Sequence, residues 1–165
     1  KEIPHTEYLI VGLPTQMDTH KELAFQLGVA DHVHFLGRKS NAELLKFYQA
    51  CDIFLMTSRK LPDGDFEGFG ISVIEAALCS KPAIVSNGSG LVEAVENGIT
   101  GICVEEDNPV ETARAVIHLL QNPEERLRMG INANQRARSG YTWEIVGRRY
   151  LAFLEECSKP KASRK

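Results

Sequence analysis

The sequence predicts an α/β fold: a doubly wound parallel sheet followed by a run of helices. Three observations predict it. Short apolar runs rich in Val, Ile, Leu and Phe, of the kind shown by strands covered on both faces, recur through residue 105. Longer segments with helical spacing of their apolar residues separate these runs, which implies right-handed βαβ crossovers and parallel pairing. Beyond residue 105 the strand pattern stops, and three helical segments follow one another.

In chain order, the first strand is expected over 7–11, around Tyr8-Leu9-Ile10-Val11, and the later ones over 32–36, 52–57, 83–86 and 102–105. Helices are expected between them over 18–27, 41–51, 70–80 and 90–97. The closing helices are expected over 109–121, 123–139 and 142–157. Pro109 and Pro123 stand in their first turns, where proline's missing N–H costs nothing, and Thr142 stands as a cap before the third. Residues 1–157 read as one Rossmann-like domain, and 158–165 as a basic, polar, flexible tail. Strand-type sequence begins almost at once and no initiator Met precedes it, as expected for a segment of a longer protein. No internal repeat is visible.

The totals exclude several classes of function. With 43% hydrophobic and 25% charged residues in 165, the composition is that of a globular domain. A net charge of −3 provides no basic footprint for nucleic acid. No apolar run reaches membrane-spanning length, and there is no signal-peptide layout. Cys51, Cys79, Cys103 and Cys157 lack C-x-x-C spacing and fall mostly in apolar segments. They read as buried, reduced thiols, in keeping with a cytoplasmic protein.

Parallel α/β sheets bind ligands at the carboxyl ends of their strands. The loops expected there are 12–17, 37–41, 58–70 and 87–91, all carrying Gly, Ser or Asn, and the third is long enough to suggest function. It ends in Glu67-Gly68-Phe69-Gly70-Ile71-Ser72-Val73-Ile74-Glu75. Glycines permit close backbone approach, and a helix starting near Gly70 aims amides and the positive end of its dipole at an anion. Glu75, one turn beyond Ile71 on the same face, is placed to accept from a ribose diol; Glu67 is placed to reach hydroxyls on the other side of a phosphate.

Other candidates are weaker. Asp63-Gly64-Asp65 has two acids that suit a divalent cation, but Pro62-Asp63-Gly64 is a strong turn signal, and the turn is preferred. His32 and His34 share a strand face with no third ligand spaced to complete a metal site. Asn87-Gly88-Ser89 matches a glycosylation sequon but reads as a tight turn. Arg38-Lys39 after Gly37 suits either phosphate or base contact or a solvated basic pair; Ser58-Arg59-Lys60 leans to the latter. Apolar residues at helical spacing from Trp143 to Leu154 read as a packing face. There is no Ser-His-Asp, Cys-His or zinc arrangement and no G-x-x-x-x-G-K-[ST] phosphate loop.

Taken together, Val33-His34-Phe35-Leu36-Gly37, the run from Tyr48 to Arg59, Glu67-Gly68-Phe69-Gly70 through Glu75-Ala76-Ala77, Lys81-Pro82-Ala83-Ile84-Val85, Gly90-Leu91-Val92-Glu93-Ala94-Val95 and Asn97-Gly98-Ile99-Thr100-Gly101 resemble one family. Over residues 8–154 the chain is similar to the C-terminal, nucleotide-sugar-binding domain of retaining GT-B glycosyltransferases of family 4, the glycosyl transferases group 1 type. The resemblance implies that the donor is bound here, the acceptor in a second, N-terminal domain, and that a hexose is transferred in the cleft between them. It implies that Glu67 contacts the transferred sugar as the catalytic glutamate and that Glu75 binds the ribose hydroxyls. It implies that Gly68 and the amides of Phe69, Gly70 and Ile71, with Ser72 beside them, meet sugar and phosphate oxygens. The turn of Gly37, Arg38 and Lys39 would contact the base, largely through backbone. No metal or other cofactor is implied, because basic groups and the helix end neutralise the leaving diphosphate.

There are departures. The family's Arg and Lys that clamp the diphosphate precede the matched region, along with one strand-helix unit, and Arg38, Arg59 and Lys60 are not assigned their role. Gly12-Leu13-Pro14 lacks a usual second glycine, and Ser80 stands where glycine is common. The acceptor domain is absent, so its specificity and any peripheral membrane association are not legible, and the fragment is expected to be inactive in transfer by itself. A nucleotide-sugar epimerase of the same fold, or a non-catalytic nucleotide-binding module, are the alternatives; the second would be expected to have lost one of the two glutamates.

Overall fold

Short β-branched runs and helical segments alternate as the sequence predicts. A computed structural model describes residues 3–13, 17–60, 64 and 66–158, which divide between two compact units, 1–50 and 51–165. The described strands are all parallel and fall into two hydrogen-bonded sets, one in each unit.

In the first unit, β1 (Tyr8–Val11) and β2 (Val33–Gly37) pair in parallel with Tyr8 opposite Val33, and the register shifts between Ile10 and Val11. Helix α1 (Met17–Gln26) makes the crossover and buries only Ala24. Helix α2 (Asn41–Ala50) follows β2. A reciprocal cap starts it: the Ser40 amide and hydroxyl donate to Glu43 Oε2 at 2.9 and 2.7 Å, and the Glu43 amide donates back to Ser40 Oγ at 3.4 Å.

The second unit carries the main core. Strands β3 (Phe54–Met56), β4 (Ala83–Ser86) and β5 (Gly101–Val104) form a parallel sheet in the order β3-β4-β5. All four residues of β4 are buried, so its pleat feeds two clusters. Ala83 and Val85 pack with Val73, Ile74 and Ala77 of α3 (Ile71–Leu78), with Leu91 and Ala94 of α4 (Leu91–Ala94), and with Ala133 and Ala137 of α6 (Pro123–Gly140). Ile84 and Val104 pack with Ala115 and Leu119 of α5 (Pro109–Gln121) and with Met129 of α6. The strands are thus covered on both faces, which is why they read as continuous apolar runs.

The helix ends are specific. Pro109 opens α5, with Asn108 Oδ1 accepting from the Glu111 amide at 3.0 Å; Pro123 opens α6. Thr142 occupies the cap position of α7 (Trp143–Cys157) without a side-chain cap bond. The fourth helix is shorter than expected: it ends at Ala94, and Val95 turns extended. A competing turn takes over, in which the Glu96 amide donates to Thr100 Oγ1 at 2.8 Å and Glu96 O accepts from the Thr100 amide at 2.9 Å. Ser80 has φ of 60°, the left-handed region where glycine is favoured. No described cysteine is in a disulfide; Cys51, Cys79 and Cys103 are half-buried and Cys157 is exposed, so the expectation of buried thiols fails at Cys157, the last residue of α7. Burial pushes the Cys51, Cys79 and Cys103 thiols up.

Candidate functional site

The turn leading into α3 is built by glycines with specific geometric duties. Gly70 takes φ of +78°, and a Cβ there would sit 2.4 Å from Leu91 Cδ2. Gly90 has an ordinary φ of −65°, but a Cβ on it would lie 1.7 Å from the Gly68 carbonyl oxygen. Two loops therefore touch through bare backbone, and the Gly90 amide donates to Glu67 O at 2.9 Å.

On this frame Glu67 is half-buried and folds back over the turn: its Oε1 accepts from the Phe69 amide at 3.4 Å and from the Gly70 amide at 3.1 Å. The turn thus already receives an anionic oxygen on consecutive amides at the start of a helix, a combination suited to phosphate or carboxylate. Val73 and Ile74 face the core, while Ile71 and Glu75 lie on the exposed face, one turn apart. Ser72 Oγ lies 3.8 Å from Met56 Sδ, at the end of β3. The chain thus brings Glu67, Gly68, Phe69, Gly70, Ile71, Ser72 and Glu75 together at the carboxyl edge of the β3-β4-β5 sheet.

Gly37, Arg38 and Lys39 belong to the first unit. Gly37 ends β2 with φ of +67°, and its carbonyl accepts from the Gly12 amide at 3.1 Å. Arg38 is exposed, and Lys39 Nζ lies 4.0 Å from Glu43. In the second unit Arg59 lies 4.0 Å from Asp107 at the surface, and the Lys60 amide donates to Glu106 Oε1. Asp63 and Asp65 lie outside the described residues, as does the tail from residue 159. Among the described residues, no group of three or more His, Cys, Asp or Glu side chains is arranged to hold a metal ion.

Three features escaped the sequence reading. Glu7 lies between His34 of β2 and His32, which ends the short 3-10 turn Ala30–His32 just before that strand, 3.1 Å from His32 Nδ1 and 2.7 Å from His34 Nε2, because parallel pairing of β1 with β2 carries residue 7 alongside them. These bonds, that to His34 first, hold the Glu7 carboxyl below its ordinary value. Glu106 reaches back from beyond β5 to the Lys60 amide, and its Oε2 lies 2.6 Å from the Cβ position of Gly88. Tyr141, between α6 and α7, stacks on Phe69 with ring centroids 5.4 Å apart. His32 with His34 and the turn Asn87-Gly88-Ser89 gave local signals, but Glu7, Glu106 and Tyr141 act across long sequence separations.

The fold is that of GT-B glycosyltransferases. Over 93% of this chain and 42% of the other, it matches the crystal structure of Anabaena HepE in complex with UDP, with a TM-score of 0.79 and 25% identity. Sucrose-phosphate synthase from Thermosynechococcus elongatus shares the fold at a TM-score of 0.81 over 94% of this chain and 39% of that one, with 24% identity. The model of the family described as glycosyl transferases group 1 matches residues 1–136, and the chain belongs to that family. It is 33% identical over 159 residues to the GDP-mannose-dependent monoacylated alpha-(1-6)-phosphatidylinositol monomannoside mannosyltransferase of Corynebacterium glutamicum, covering 96% of this chain and 40% of that protein. It is also 35% identical over 127 residues to the N,N'-diacetylbacillosaminyl-diphospho-undecaprenol alpha-1,3-N-acetylgalactosaminyltransferase of Campylobacter jejuni, covering 77% of this chain and 31% of that protein. The chain therefore spans well under half the length of the relatives it matches.

Proposed function

We propose that this chain is the donor-binding domain of a retaining glycosyltransferase that moves a hexose from a nucleotide diphosphate sugar to an acceptor held by a separate domain. The observation that carries this reading is the turn itself: consecutive amides at the start of α3 already hold an anionic oxygen, between a half-buried glutamate and a second glutamate one turn into the helix. On donor binding, the diphosphate and sugar oxygens take those amides, and the Glu67 carboxylate turns to the sugar hydroxyls. Glu75 accepts from the ribose diol. The leaving diphosphate gathers charge, which the amides and the dipole of α3 stabilise without a metal.

The relatives support transfer over epimerisation, since the Corynebacterium and Campylobacter proteins named above are transferases, the first of them GDP-mannose-dependent, and one solved neighbour holds UDP. No described helix is long and apolar enough to cross a membrane. We place the protein in the cytoplasm, where nucleotide sugars would reach it, with membrane contact left to the acceptor-binding part.

Calorimetry of the chain with UDP and GDP tests the reading against the variant Glu75→Ala. Losing a charge-assisted ribose contact is expected to weaken binding by about tenfold or more. Equal affinity of the two proteins would remove Glu75 from the site.

A further inference from the structure

We propose that Tyr141 is a positioning residue for the donor-binding turn, holding Phe69, and with it the amides of Phe69 and Gly70, in a fixed attitude. The inference rests on the donor-site reading given above and extends it to a residue far from the turn in sequence.

Phe69 is flanked by Gly68 and Gly70, two residues without side chains, so the Phe69 ring is the turn's principal side-chain anchor. That ring meets Tyr141 at a 5.4 Å centroid separation and a 40° interplanar angle, and both rings pack against the cluster formed by α3, α4 and α6. The separation lies in the range that aromatic pairs favour.

Tyr141 is itself held from two sides. Its hydroxyl donates to Glu93 O at 3.2 Å and accepts from Arg136 Nη2 at 3.0 Å. Arg136 Nη2 also donates to Glu93 O at 2.7 Å, and its guanidinium carbon lies 5.4 Å from the centroid of the Tyr141 ring. Glu93 belongs to α4, the short helix that opens immediately after Gly90, and the Gly90 amide holds Glu67 O. The connections therefore close a ring: Glu67 to Gly90, through α4 to Glu93, through Arg136 and Tyr141 to Phe69, and back along the turn. The turn is pinned at Glu67 by a backbone bond from Gly90, just before α4, and at Phe69 by an aromatic contact with Tyr141, whose hydroxyl bonds to Glu93 of α4. A turn that must present two amides to a ligand gains from this, because binding then orders less of the backbone.

Hydrogen exchange read by NMR on the chain, with Ile84 and Val85 of β4 as internal controls, tests the proposal. Tyr141→Leu is expected to speed exchange of the Phe69 and Gly70 amides about 2- to 10-fold, the range an aromatic pair contributes, with the controls unchanged. Tyr141→Phe, which keeps the ring, is expected to restore most of that protection, and Phe69→Leu should reproduce the effect from the other side if Tyr141→Leu does not fold. A parallel calorimetric titration with UDP and GDP is expected to show weaker nucleotide binding in Tyr141→Leu and near wild-type binding in Tyr141→Phe. Exchange at Phe69 and Gly70 that is unchanged, that rises only in step with Ile84 and Val85, or that Tyr141→Phe fails to restore would overturn the proposal. A wild-type chain that binds neither nucleotide would instead sink the donor-site reading, and the exchange rates would still decide whether Tyr141 holds the turn.

Discussion

Replacing Gly90 by alanine is the sharpest perturbation of the turn, because it adds one methyl group where two backbones meet. With φ at −65°, alanine is conformationally at ease there, and by the unfolded-state effect alone it would stabilise the chain by about 0.4–1 kcal/mol. The steric term opposes this. The new Cβ would begin 1.7 Å from Gly68 O and 2.4 Å from Gly68 C, whereas real Cβ contacts essentially never fall below 3.0 Å. The obstacle is backbone, which cannot rotate aside, so the 67–70 turn must move away from α4 and strain the 2.9 Å bond from the Gly90 amide to Glu67 O. Overpacking of this kind costs roughly 1–3 kcal/mol, leaving an expected net loss of about 1.3 kcal/mol at the midpoints of the two ranges. Urea denaturation followed by circular dichroism reads that loss as a lower midpoint at constant slope. The same displacement moves the Phe69 and Gly70 amides, so calorimetry should show binding of UDP and GDP falling by roughly tenfold or more. A Gly90→Ala chain as stable as wild type and with unaltered nucleotide affinity would show that the close approach of the two loops has no energetic role.

Three further outcomes are expected. Gly147, in the middle of α7 with open space around its Cβ position, should behave in the opposite way, and Gly147→Ala is expected to raise stability by about 0.5–1 kcal/mol in the same denaturation assay. Glu7 should titrate below an ordinary carboxylate by NMR, and His34→Ala should move its midpoint upward more than His32→Ala does, since the His34 bond is the larger cause. Because the folded value is the depressed one, any contribution of this cluster to stability is complete above the unfolded carboxylate value and is lost as pH falls through the folded value. If the donor-domain reading holds, Glu67→Gln in a protein that joins this domain to an acceptor-binding one is expected to lower turnover by at least about a hundredfold while nucleotide binding persists, given the usual size of a lost transition-state contact; near wild-type turnover would show that Glu67 does not touch the sugar.

Legibility from sequence followed the range of the interactions involved. Strands such as β4 were readable because burial on both faces leaves a continuous apolar run, and helices α5 and α6 because Pro109 and Pro123 mark their first turns. The fourth helix was over-extended because its end is set by Thr100 reaching back to Glu96, a side-chain bond with no helix-breaking residue to announce it. Placement of Glu67, Gly70 and Glu75 was legible from glycine positions and helical spacing. The Glu67 carboxylate resting on its own turn was not, since sequence does not indicate which acceptor satisfies an amide. Tyr141 and Glu7 were missed for a shared reason: each meets its partner only after strands and helices have packed, so no local pattern encodes the contact.

The central claim, that the turn into α3 holds a nucleotide sugar, is tested most directly by mapping amide chemical shifts of the isotope-labelled chain as UDP or GDP is added. Perturbations are expected to concentrate at Glu67 to Ser72 and at Glu75, and to saturate together with a single affinity. Saturable binding that left residues 67–75 unshifted, or no binding of either nucleotide at millimolar levels, would contradict the claim.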